Sequence, residues 1–167
     1  MRRLHRADAR DANASRTGAI ARSVHDLSHR LHPAKLGLIG LVASLRGLQR
    51  KLSGSDTVVT FEDEDVPSTL PPALSLCVFR IAQEAVQNAL RYSGAEVVSM
   101  QLRGGANRLT LSVVDDGAGF DVEAVRGKGL GLIGMSERVE TLGGTFEIRS
   151  QPGAGTRLEV TVPLHCL

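Results

Sequence analysis

Two glycine-marked reversals constrain what this chain can fold into. Gly104-Gly105-Ala106-Asn107 separates residues 95–102 from 108–114, and Gln151-Pro152-Gly153-Ala154-Gly155 separates Thr145–Ser150 from Thr156–Pro163. Gly and Asn tolerate the backbone angles a tight reversal needs, so each flanking pair is predicted to be an antiparallel hairpin. A short β-branched strand at residues 57–61 precedes a proline-started helix at 73–92, apolar along one side. A second helix at 130–142 stops at Gly143-Gly144, a C-terminal capping pattern. The order strand, helix, two strands, helix, two strands predicts a mixed, largely antiparallel sheet with helices on one face. That is an α+β, two-layer sandwich.

A chain of 167 residues with 42% hydrophobic side chains can bury a core; aromatics are only 3%, so Leu, Val, Ile and Ala must fill it. Residues 1–52 read separately from 53–167. Ile20, Val24, Leu27 and Leu31 follow the alternating four-and-three spacing of a helix seam that packs on a partner. Pro33 interrupts it, and Leu38, Leu41, Val42, Leu45, Leu48 and Leu52 resume it, weakened by Gly37, Gly40 and Gly47. Residues 1–50 hold ten Lys and Arg against three Asp and Glu, whereas 51–167 hold ten against fifteen. The basic residues are spread along a helical pattern without aromatic interleaving, so a solvated helix face is expected and no nucleic-acid partner. No apolar run approaches the roughly 18 residues of a membrane span, and no apolar segment follows the Arg-rich start. Cys77 and Cys166 lie far apart and read as free thiols in a reducing cytoplasm.

Four clusters can carry chemistry. Glu84 and Asn88, four apart on the long helix, project from one face. An amide oxygen suits Mg²⁺, and a carboxylate can accept a proton. Asp115-Asp116-Gly117-Ala118-Gly119 follows a strand; a carboxylate there can accept from an exocyclic amine, although Asp-Gly is also a common turn. Gly127-Lys128-Gly129-Leu130-Gly131 opens a helix and can present backbone N–H groups to phosphate. It is neither a Rossmann fingerprint nor a P-loop. Gly155-Thr156 opens the last strand with a hydroxyl. Each cluster has an ordinary structural reading; their conjunction, in this order and on these elements, does not.

Taken together the clusters resemble the GHKL family, the ATP-binding module of histidine kinases, Hsp90-like chaperones and type II topoisomerases. Glu84-Ala-Val-Gln-Asn88 is similar to its N box, Asp115-x-Gly117-x-Gly119 to its first Gly box, Gly127-x-Gly129-Leu-Gly131 to its second, and Gly155-Thr156 to its closing Gly-Thr. The resemblance covers residues 55–165 and implies a Bergerat-type ATP-binding fold. It implies that Glu84 acts as general base or positions the acceptor and that Asn88 ligates Mg²⁺. It further implies that Asp115 accepts from adenine with Thr156 nearby, and that Gly117, Gly119, Gly129 and Gly131 shape the pocket and lid. Many relatives carry Lys-His where this chain has Arg91-Tyr92; Arg91 keeps a charge that can meet phosphate, and the His has no counterpart.

Residues 27–46, with Leu31-His32-Pro33 and Gly40-Leu41-Val42-Ala43-Ser44-Leu45, resemble the second dimerisation helix and connector of nitrate-sensor-type histidine kinases. That branch implies a cytoplasmic, ATP- and Mg²⁺-dependent kinase that phosphorylates a histidine, homodimerises through its N-terminal helices and hands the phosphoryl group to a response regulator. His25-Asp26 is similar to the acceptor pair of such kinases. Yet the family places a complete helical hairpin between acceptor and N box, whereas 58 residues separate His25 from Glu84. At about 1.5 Å per helical residue the return leg does not fit, which favours His25 on the second helix and the acceptor in a lost, divergent or external segment over His25 as the acceptor itself. His29 and His32 read as helix-surface or cap residues, and His5 and His165 as terminal. A non-catalytic kinase remnant and an anti-sigma-factor-type serine kinase remain as alternatives; the longer chaperones and topoisomerases fit less well.

Overall fold

The computed structural model describes residues 33–125 and 130–164. The seam at 20–31, all five histidines, Cys166, Gly127 and Gly129 lie outside the described residues. Residues 36–167 belong to one compact unit. Its elements begin with α1 (Pro33–Ile39), α2 (Leu41–Leu52), β1 (Val58–Glu64) and α3 (Pro72–Asn88), which runs on as a π-helical turn over Ala89–Ser93. They continue with β2 (Val97–Gly104), β3 (Arg108–Asp115), α4 (Val122–Val125), α5 (Leu130–Thr141), β4 (Thr145–Ser150) and β5 (Thr156–Pro163).

The five strands form one sheet in the order β1-β2-β3-β5-β4. β1 and β2 are parallel, an arrangement that needs a crossover connection, and α3 supplies it. The other neighbours are antiparallel, including both hairpins expected from the glycine-marked turns. Alternation sorts the two faces. Val98, Met100 and Leu102 of β2, Leu109, Leu111 and Val113 of β3, and Leu158, Val160 and Val162 of β5 are all buried. Leu111 lies opposite Leu102 on one side and Val160 on the other. The helical layer supplies Leu74, Val78, Ile81, Ala82 and Val86 from α3 and Met135 and Val139 from α5. α2, with Leu41, Leu45 and Leu48 buried, packs against β1 and α3. The result is the mixed two-layer sandwich expected from the element order.

The opposite face of the sheet is polar. Thr110 and Thr161 stand 3.2 Å apart through their hydroxyls, and Arg103–Glu64, Arg149–Glu147 and Arg157–Glu159 form exposed ion pairs. Pairs so exposed add little stability and keep this face in water.

Three elements differ from their expected bounds. β1 runs to Glu64, through acidic residues that read as loop, because its parallel ladder with β2 continues to Arg103. There Glu64 meets Arg103, and Arg46 of α2 pairs with Asp63 while its guanidinium lies 5.8 Å from the Phe61 ring centroid. α4 appears inside the glycine-rich stretch because Asp121 caps it: its Oδ1 accepts from the N–H groups of Glu123 (2.9 Å) and Ala124 (3.3 Å). The long helix leaves α-geometry after Asn88. α5 ends as expected: Gly143, at φ 68°, donates to the Glu140 carbonyl and Gly144 to that of Val139, a Schellman closure. Cys77 is buried between α3 and α5 with its Sγ 3.6 Å from the Arg138 carbonyl. Burial pushes its thiol pKa up, and the Arg138 charge opposes part of that. Among the described residues no helix is long and apolar enough to cross a membrane.

Leu111→Ala is expected to lower the unfolding free energy by about 2–5 kcal/mol, because the surrounding strands cannot collapse into the void. Thr145→Ala, on the open face, is expected to change it by less than about 0.5 kcal/mol. Urea titrations of both variants check the assignment of the two faces.

Candidate functional site

A cavity of about 530 Å³ opens between α3 with its π-helical turn, the end of β3, α5 and the β4–β5 pair. That is within the range of a small-ligand site. Glu84, Asn88, Arg91, Asp115, Gly119, Gly131 and Thr156 all line it. Gly117 stands just behind, and Gly129 is outside the described residues.

At one end the helix spacing puts Glu84 and Asn88 on the same face of α3. The first turn of α5 lies against them: a Cβ added to Gly131 would be 3.0 Å from Glu84 Oε1 and 3.7 Å from Asn88 Nδ2. A side chain there would fill the space in front of the carboxylate and amide. Arg91, from the π-helical turn, lines the same cavity. A carboxylate, an amide and the opening turn of a helix are thus gathered together, with an arginine in the same cavity wall.

At the other end sits Asp115, the last residue of β3, only 8% exposed. One carboxylate oxygen, Oδ1, accepts from the Gly117 N–H at 3.0 Å, which fixes the side chain. The neighbouring carboxylate does different work: Asp116 Oδ1 accepts from the N–H groups of Glu96 (2.9 Å) and Val97 (3.0 Å) and so ties down the start of β2. Strand register places Thr156 directly opposite Asp115. The Thr156 hydroxyl is 3.2 Å from Ser150 Oγ, which donates to the Gly155 carbonyl and accepts from the Phe120 N–H. With the Ser150 proton committed, Thr156 is the donor in that pair, and its own oxygen remains an acceptor.

Between the two ends the walls are apolar, built from Ala85, Ala89, Val113, Met135, Ile148 and Leu158 among others. The sequence reading assigned no site role to these residues. Their period marks them as core-facing, and nothing local distinguishes a wall from a core position. The glycines of the first box prove to be packing residues. A Cβ at Gly117 would lie 2.5 Å from Ser93, and one at Gly119, where φ is 60°, would collide with the Gln151 carbonyl. Among the described residues no group of three or more His, Cys, Asp or Glu side chains could hold a metal ion. A cation at Asn88 would therefore share its coordination with a ligand that brings its own oxygens.

Residues 74–165 match the family model described as histidine kinase-, DNA gyrase B- and HSP90-like ATPase. The chain belongs to this ATPase family. Among curated relatives it is 33% identical over 143 residues to the oxygen sensor histidine kinase NreB of Staphylococcus carnosus (strain TM300), covering 84% of this chain and 41% of that one. It is 34% identical over 139 residues to the signal transduction histidine-protein kinase/phosphatase DegS of Bacillus subtilis (strain 168), covering 79% and 36%. The chain thus spans about two fifths of the length of these relatives. Both are histidine kinases, the branch to which the Leu31-His32-Pro33 connector pointed. The histidine kinase domain of the blue-light activated kinase of Erythrobacter litoralis EL346 shares the fold, with a TM-score of 0.63 at 20% identity, over 74% of this chain and 61% of that one. As a histidine-kinase-type ATPase domain, the chain has ATP as its implied ligand.

Gly119→Ala is expected to destabilise this ATPase domain by more than about 1 kcal/mol, since both φ and the Gln151 carbonyl oppose a side chain. Gly134→Ala, mid-helix in α5 with open space around it, is expected to stabilise by about 0.5–1 kcal/mol. Thermal melts of the pair separate a glycine required by packing from one that is not.

Proposed function

We propose that the cavity binds ATP with adenine at the Asp115–Thr156 end and the phosphates at the Glu84–Asn88 end, and that the chain is the catalytic part of a two-component sensor kinase. The observation that carries the reading is the polarity of the cavity, with fixed acceptors at one end and, at the other, a carboxylate and an amide that no side chain engages among the described residues, beside an arginine and a helix opening. The Asp115 oxygen left over from Gly117 accepts from the adenine amino group, directly or through a water shared with Thr156. Apolar walls cover the ring faces. The first turn of α5 and Arg91 meet the phosphates.

Asn88 offers its amide oxygen to Mg²⁺, which when bound neutralises charge across the phosphates. Neither Glu84 nor Asn88 is bonded to another side chain among the described residues, and the donor set fits such an ion. In the transfer step an imidazole nitrogen of the acceptor histidine attacks the γ-phosphorus and the bond to the β–γ bridging oxygen breaks. ADP leaves, and Glu84 accepts the proton from the other ring nitrogen. The acceptor helix, homodimerisation through the N-terminal helices, a cytoplasmic location and a response regulator that receives the phosphoryl group complete the proposal. The histidine kinase relatives support the response-regulator step. A nucleotide-binding remnant would share the cavity and lack the transfer.

Asp115→Asn tests the adenine end. Asn has one acceptor oxygen where Asp115 needs two, one for Gly117 and one for the base, so ATP affinity is expected to fall by at least about tenfold in calorimetry. Unchanged affinity contradicts the assignment. Glu84→Gln tests the transfer. Incubated with Mg-ATP and a histidine-containing acceptor domain, the unaltered chain should produce acid-labile phosphate, and the variant about 10²–10⁴ times more slowly. Nucleotide binding without any labelling would identify the remnant instead.

A further inference from the structure

Ser93 has no part in the reading above, yet it joins the two sides of the cavity. It closes the π-helical turn that follows Asn88. Its Oγ donates to the Ala89 carbonyl at 2.8 Å and accepts from the Ala95 N–H at 3.1 Å. Its own carbonyl accepts from the Ala118 N–H at 2.7 Å. Gly117 packs so close behind it that an added Cβ would come within 2.5 Å of Ser93. The end of the long helix is thereby fastened to the loop that follows Asp115.

The geometry of the turn gives the fastening a consequence. A π-turn takes more residues per revolution than an α-turn, so Ser93 is rotated back toward the face of Glu84 and Asn88 instead of pointing away from it. Ala89, Arg91, Tyr92 and Ser93 of the turn all line the cavity, next to Asn88 at the end of the α-helix. Such a turn needs something to hold it against rewinding. Ser93 Oγ provides this locally: it gives the Ala89 carbonyl a donor in the last turn and binds the chain where it leaves the helix. The contacts to Gly117 and Ala118, in contrast, involve backbone and would survive loss of the hydroxyl.

We propose that Ser93 is a positioning residue: its hydroxyl holds the π-helical turn and thereby sets where Arg91 stands relative to Asp115. The inference rests on the nucleotide reading of the cavity. It divides the site in two. Removing the hydroxyl leaves the adenine end in place and lets Arg91 at the phosphate end turn away.

The test compares adenosine with Mg-ATP as ligands of the full chain, by calorimetry. Ser93→Ala is expected to weaken Mg-ATP binding about tenfold and to change adenosine binding less than about twofold. Ser93→Thr, which keeps the hydroxyl, is expected to restore Mg-ATP binding. A merely structural role predicts that both ligands weaken together as the melting temperature falls, and that outcome overturns the proposal, as does an unchanged ratio of the two affinities. If Ser93→Ala does not fold, Ser93→Cys, which keeps the volume and bonds weakly, is read by the same ratio. Should the unaltered chain bind neither ligand, the nucleotide reading falls and Ser93 with it; binding by the unaltered chain with no split in the variant removes Ser93 alone.

Discussion

The site depends on a point where three stretches of the chain meet on glycines that leave no room for a side chain of their own. Gly117 lies against Ser93 at the end of the long helix, Gly119 against the Gln151 carbonyl, and the Gly153 N–H donates to the Ala118 carbonyl. This contact fixes the β3 end, the α3 end and the β4–β5 turn relative to one another. Asp115, Asn88 and Thr156 each stand on one of those three segments. Any β-carbon at Gly117 or Gly119 would push two of them apart, so these glycines are required by the frame itself. The carboxylate of Asp115 is then oriented by the Gly117 N–H.

On that frame the cavity acquires two unlike ends. Neighbouring side chains of similar type are sorted by what they bond. Asp116 is consumed by the backbone of β2, whereas one Asp115 oxygen has no partner among the described residues. Ser150 is saturated, and this leaves Thr156 as an acceptor. At the far end Gly131 lets the first turn of α5 approach Glu84 and Asn88 closely. In our proposal these ends hold the base and the phosphates, and the apolar stretch between them holds the ring.

Much of this was legible in the sequence, for identifiable reasons. Hairpin glycines and strand alternation made the sheet readable, and Gly143-Gly144 marked the end of α5. Asp115 could be told from Asp116 only through the family resemblance, since the two carboxylates look alike until their partners are known. The extension of β1 through acidic residues was hidden because the arginines that offset them, Arg46 and Arg103, are distant in sequence. The π-helical turn left no local trace either. It depends on Ser93 and on the loop after β3, which the chain brings together only on folding. The apolar walls were concealed for the opposite reason: their pattern is that of any core.

The most direct test of the account is backbone NMR of the full chain titrated with a non-hydrolysable ATP analogue and Mg²⁺. The account predicts shifts at Asp115, Gly117 and Thr156 at one end and at Asn88, Arg91 and the first turn of α5 at the other. Adenosine alone should move only the first group. Perturbation confined to the polar face of the sheet, at Thr110, Arg149 and Glu159, with the cavity residues unmoved, would contradict it.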